Sequence, residues 1–125
     1  MAGLIAAATT TKTTLLGFPI LKGGDFLYQD IEQYLKQLQA TYPEIDLHKP
    51  QNWSLSTEYH FGGYARKNTQ LLRFIEDFHE QFSLPIEPVY TGKLFYGVME
   101  KIKAGYFRRG SSVLVLHSGG VYQID

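Results

Sequence analysis

The chain contains no cysteine, and that one absence removes a disulfide framework and every thiolate metal site from consideration. It fits a reducing compartment, and the expected location is the cytoplasm. An excess of charge of either sign is also missing, since twelve basic residues balance twelve acidic ones. No stretch gathers Lys or Arg on one face as neutralising a phosphate backbone would require, so nucleic acid is excluded as a partner. No apolar run reaches the roughly 20 residues needed to span a bilayer, and the chain is expected to be soluble. The apolar start, Met1 to Ala8, lacks the basic flank of a signal peptide and leads into a threonine-rich stretch containing Lys12. Histidines are few: His48, His60, His79 and His117 lie scattered, without metal-ligand spacing, and no metal site is expected.

What the chain does have is apolar and aromatic material, 44% and 14% of its 125 residues, enough for one buried core. Ala2 to Ala8 is small and apolar with no polar face, as in the end of a buried helix, and the chain reads as starting inside an element. Leu15 to Leu21 reads as a buried strand closed by Lys22-Gly23-Gly24, with Asp25 as the N-cap of the next helix. Tyr28, Ile31, Leu35 and Leu38 recur at helical spacing up to Tyr42-Pro43. After a loop from Thr41 to Gln51, Trp53 to Tyr59 alternates as a strand and stops at Gly62-Gly63. Asn68 or Thr69 caps a helix whose inner face is Leu71, Ile75, Phe78 and Phe82. Pro85 and Pro88 bracket a short extended piece ending at Val89-Tyr90. Thr91-Gly92 then opens a helix with Phe95, Met99 and Ile102 on one side and Gly105 as its stop. Val113 to Leu116 is an uninterrupted apolar strand closed by His117-Ser118-Gly119-Gly120. This alternation predicts an α/β fold: three layers, α/β/α, around a mostly parallel sheet.

Each proposed strand runs into a glycine-containing turn. In a parallel sheet such turns share the carboxyl edge, where helix N-termini point amides at ligands. Turns of this kind are also what any α/β protein needs, so they mark a candidate site without fixing a chemistry.

Particular residues carry more. Glu87-Pro88-Val89-Tyr90-Thr91-Gly92-Lys93, the helix after it, and Val113 to Gly120 resemble the C-terminal part of the 1-aminocyclopropane-1-carboxylate deaminase and D-cysteine desulfhydrase family. Ala2 to Ala7 and the segment from Leu16-Gly17 to Gly24-Asp25-Phe26-Leu27 resemble its middle region. The resemblance implies a tryptophan synthase β-subunit-like fold, of which residues 1–125 would form an incomplete large domain. It implies pyridoxal phosphate as cofactor, a small amino acid as substrate, ammonia and a 2-oxo acid as products, and a homodimer.

By the same resemblance Tyr64 lines the substrate pocket, and Tyr90 stands over the reacting carbon as nucleophile, acid/base group or simple packing surface. Amides at the helix start would favour a partly ionised Tyr90 phenol. Ser118, followed by Gly119, faces the cofactor's pyridine nitrogen. Thr91 stands where deaminases proper carry glutamate, which points to the desulfhydrase-like branch. The Schiff-base lysine and phosphate loop of the family lie N-terminal to the region matching Ala2, so the missing N-terminal half becomes a required partner. Lys22 and Lys93 do not align with that lysine and read as solvated or helix-capping. Arg108-Arg109 reads as a solvated turn, and His117 as a cofactor neighbour or a packed strand end. Two readings stand: a portion of a pyridoxal-phosphate deaminase or lyase, inactive alone, or a non-catalytic interaction or oligomerisation module.

Overall fold

The computed structural model describes residues 1–47 and 52–120, and among the four histidines His48 lies outside them. The chain divides into two compact units. One comprises Met1–Pro19 and Gly23–Thr57, and the other comprises Ile20–Lys22 with the chain from Glu58 onward.

The first unit is built from α1 (Ala2–Ala8), β1 (Leu15–Gly17), a 3-10 turn (Gly24–Phe26), α2 (Leu27–Thr41) and β2 (Trp53–Leu55). Strands β1 and β2 pair in parallel with Leu15 opposite Trp53 and Gly17 opposite Leu55. The Ser56 amide extends the ladder by donating to the Gly17 carbonyl at 2.8 Å. Ile5 and Ala6 of α1 meet Ile31 and Leu35 of α2 in a buried core flanked by Leu15, Leu38, Trp53 and Leu55. The helical spacing of Tyr28, Ile31, Leu35 and Leu38 is what turns this stripe inward. Tyr28 adds a polar tie, since its hydroxyl accepts the Leu55 amide at 2.8 Å while its ring stacks on Trp53.

The second unit holds α3 (Thr69–Phe82) and α4 (Thr91–Lys103). Asn68 caps α3 as expected, its side-chain oxygen accepting the Leu71 amide at 2.9 Å. Leu71 and Phe78 are buried, and the Phe78–Phe95 and Phe74–Tyr96 ring pairs, at 5.0 and 5.1 Å, join the two helices. Gly105, with φ of 70°, lies just past the end of α4, as its position in the sequence suggested.

Several expectations are corrected. Among the described residues the α/β structure has a two-stranded parallel sheet rather than the four strands expected. Both strands are also shorter than the apolar runs that suggested them. Val113 to Leu116 forms no strand: Leu114 is 98% exposed, because apolar β-branched composition supplies propensity but no pairing partner. Pro88 to Tyr90 is a turn rather than extended chain, as the accepting groups around Glu87 described below require. Asp25 sits inside the 3-10 turn, and α2 starts after Phe26 without a side-chain cap. Ile102, assigned to the inner face of α4, is 49% exposed. Among the described residues no helix is long and apolar enough to cross a membrane.

Gly92 marks the closest approach of α4 to its neighbours. A Cβ built there would stand 2.6 Å from the Glu87 carbonyl oxygen and 2.8 Å from Ile75 Cδ1, and the first of these is rigid backbone. Gly92→Ala is therefore expected to lower stability by about 1–3 kcal/mol through overpacking, measured by chemical denaturation. An unchanged midpoint would show that the turn can move aside.

Candidate functional site

All the residues singled out as a site fall in the second unit, around the start of α4. The organising group is Glu87, only 4% exposed. Its Oε1 accepts the amides of Tyr90 at 2.8 Å and Thr91 at 2.7 Å, and its Oε2 accepts that of Val89 at 2.6 Å. Its carbonyl accepts the Gly92 amide at 2.7 Å. A carboxylate thus occupies the positive end of α4 and satisfies amides that a helix start leaves without partners. Thr91, 1% exposed, closes the turn from inside: its hydroxyl accepts the Glu87 amide at 2.9 Å and donates to Oε1 at 3.2 Å. The second of two consequences departs from the sequence reading. The Thr91 hydroxyl points into the turn, and the amides expected to favour an ionised Tyr90 phenol are bound to Glu87 instead.

Lys93 is the second departure. Neither solvated nor capping, it is 1% exposed, and its ammonium donates to the carbonyls of His60 at 2.9 Å and Gly63 at 2.7 Å. Burial pushes its pKa below the usual lysine value, and the nearby Glu87 carboxylate opposes that shift. The loop it holds is unusual. Phe61, Gly62, Gly63 and Ala65 all have positive φ, between 53° and 123°, and each of the two non-glycines costs on the order of 1–3 kcal/mol in that region. Lys22, by contrast, is exposed as expected.

This loop delivers Tyr64 to Tyr90. The two phenol oxygens lie 3.4 Å apart, with Tyr90 donating to Tyr64, and the rings meet edge to face at 6.1 Å. The residues are 26 apart in sequence, and both are half exposed, so two hydroxyls stand together at the surface of the unit.

Ser118 and Gly119 lie in a second loop, pinned by His117. The ring Nε2 lies 2.9 Å from the Pro85 carbonyl, which can only accept, so Nε2 carries the proton. Nδ1 then accepts the Gly119 amide at 3.1 Å. His117 is thus a latch packed against Phe95, with ring centroids 6.0 Å apart. Gly119 and Gly120 adopt positive φ, and Gly120 lies against the Glu87 side chain. Ser118 itself is exposed. Segment 85–91 therefore anchors both the phenol turn and the Ser118 loop.

Sequence reasoning missed Glu87, Lys93 and His117 as the supports of this arrangement. A carboxylate four residues before a threonine at a helix start was a readable signal for Glu87. The carbonyls that receive Lys93 leave no trace in side-chain identity. His79 and Arg108-Arg109 are exposed, as their sequence context indicated. Among the described residues no group of three potential metal ligands occurs. A depression of about 640 Å³ belongs to the first unit, lined by residues such as Ala6, Ala7, Leu38 and Ile45, and contains none of the candidate site residues.

No family model matches the chain. Individual relatives do. A protein of Pyrococcus furiosus, provisionally named a 1-aminocyclopropane-1-carboxylate deaminase, is 29% identical over 113 residues, covering 88% of this chain and 32% of the relative. The 1-aminocyclopropane-1-carboxylate deaminase of Pseudomonas syringae pv. tomato is 32% identical over 93 residues, 72% of this chain and 28% of its own length. That of Cyberlindnera saturnus is 33% identical over 73 residues, 58% of this chain and 21% of its own. The chain thus spans between about a fifth and a third of the curated relatives it matches.

The environment of Lys93 can be checked chemically. Reductive methylation of the native chain with formaldehyde and borohydride, followed by peptide mapping, is expected to modify exposed Lys22 readily and Lys93 much more slowly. Equal rates would show that the Lys93 amine is not enclosed.

Proposed function

The chain is a relative of the 1-aminocyclopropane-1-carboxylate deaminases over part of their length, and we propose that its second unit forms the substrate-facing wall of a pyridoxal-phosphate site that releases ammonia and a 2-oxo acid from a small amino acid. The observation that carries this reading is the pairing of Tyr64 with Tyr90. Two phenols in hydrogen-bond contact can work as a unit. One gives a proton at the substrate, and the other donates a hydrogen bond to the oxygen left behind. With the turn amides bound to Glu87, Tyr90 in this reading serves as an acid/base group rather than a nucleophile.

The described residues fit the cofactor only in part. Pyridoxal phosphate, where bound, supplies an electron sink for bonds at the substrate α-carbon. Ser118, presented with Gly119 by the His117 latch, offers a neutral hydroxyl suited to an unprotonated pyridine nitrogen. An amine for the cofactor aldehyde is not on offer at this wall, since Lys93 is committed to two carbonyls. The anion position at the start of α4 holds Glu87 instead of a phosphate. The lysine and phosphate cradle thus belong to a region corresponding to the relatives' remaining length, the missing half in this proposal. In the resemblance, threonine at position 91 favours the desulfhydrase-like branch over cyclopropane opening. The tryptophan synthase β-subunit-like fold belongs to the same proposal, with the two-stranded parallel sheet as part of the larger one.

A second reading, an interaction or self-association module, is favoured by one observation: Val113, Leu114 and Leu116 are 41%, 98% and 63% exposed. Such a row is unusual on a monomer and suits pairing with further polypeptide, including a second copy. Leu114→Lys is expected to shift sedimentation of the chain toward monomer; identical sedimentation would remove this support.

The catalytic reading is tested in a full-length enzyme of the family that carries this segment. Tyr90→Phe keeps the ring and removes the hydroxyl, and turnover should fall about two to four orders of magnitude with cofactor binding intact. Near-normal turnover would reduce Tyr90 to a packing surface.

A further inference from the structure

Three features of the second unit converge on the loop that carries Tyr64. First, the backbone there is in a conformation the chain would not adopt on its own, with Phe61 and Ala65 at φ of 53° and 54° flanking two glycines at 95° and 123°. Second, local bonds hold part of it: the Gly63 amide donates to the His60 carbonyl at 3.0 Å, the Gly62 amide to His60 Nδ1 at 2.9 Å and the Arg66 amide to the Gly63 carbonyl at 3.2 Å. Third, two long-range ties join it to α4: Phe61 packs edge to face on Tyr96 at 4.9 Å, and the Lys93 ammonium, the charged tie, reaches the carbonyls at both ends of the His60–Gly63 turn from the first turn of α4. The Gly63 carbonyl immediately precedes Tyr64, and Lys93 lies three residues after Tyr90.

We propose that Lys93 is the positioning residue of the phenol pair: its buried ammonium fixes the distance and orientation of Tyr64 relative to Tyr90 by clamping the loop of one to the helix of the other. The placement has a physical logic. A charged donor makes stronger bonds to carbonyls than a neutral one, and inside the protein such bonds resist the loop's tendency to relax. Because Tyr90 and Lys93 share one rigid helix start, whatever Lys93 grips is registered to Tyr90. The clamp needs a long, donor-rich side chain. An apolar residue of equal volume would fill the space and remove the charged donor, leaving the two carbonyls only their local bonds from the Gly63 and Arg66 amides.

The proposal rests on the reading that Tyr64 and Tyr90 act together, but its test reads geometry rather than turnover, so the two fail separately. In the 125-residue chain with isotopically labelled aromatic rings, nuclear Overhauser contacts report three pairs: Tyr64–Tyr90, Phe78–Phe95 and Phe74–Tyr96. Lys93→Met is expected to abolish the Tyr64–Tyr90 contact while keeping the other two, and Lys93→Arg, which retains several donors, is expected to keep all three. Persistence of the Tyr64–Tyr90 contact in Lys93→Met would overturn the proposal. So would its loss in a folded Lys93→Arg chain. If Lys93→Met lost the two helix-packing contacts as well, Lys93 would be a general folding residue and the positioning role would be refuted.

Discussion

The second unit depends on a carboxylate buried at the start of a helix. Glu87 accepts three backbone amides through its side chain and a fourth through its carbonyl, and Thr91 closes the ring of bonds. Removing a carboxylate from water is costly unless its oxygens are satisfied, and here the α4 dipole and the amides satisfy them together. The result is a rigid turn. Tyr90 projects from it, Lys93 follows one helical step later, and Gly120 packs on the Glu87 side chain from the other loop.

From that turn, two loops are held by side chains that reach across sequence. Lys93 ties the Tyr64 loop by its carbonyls, and His117 ties the Ser118 loop by bridging Pro85 and Gly119. Both ties use backbone groups as partners. The two phenols and Ser118 are exposed. A site of this kind separates its buried supports, Glu87, Thr91 and Lys93, from the exposed groups proposed to meet substrate. The same division explains why Thr91, although it neighbours Tyr90, belongs with the supports.

The first unit is more conventional. Its core follows from apolar spacing on α1 and α2, and its sheet from two short runs that pair in register. Here the pattern of residues and the structure agree closely, because helix packing and a two-strand ladder need only local periodicity and one partner each.

The sequence by itself determined the four helices, the Asn68 cap, the stop near Gly105 and the kinship with deaminases, because each is written in local spacing or in a run of identities. It also singled out Tyr64 and Tyr90, though it carried no sign that they touch. Only the tertiary structure decided which apolar runs become strands, since a strand requires a partner and Val113 to Leu116 has none among the described residues. It likewise decided that Lys93 is buried, that Thr91 turns inward and that His117 is a latch. In each case the partner is a backbone carbonyl or amide brought close by folding, and backbone groups are the same at every position, so no pattern of side chains announces them.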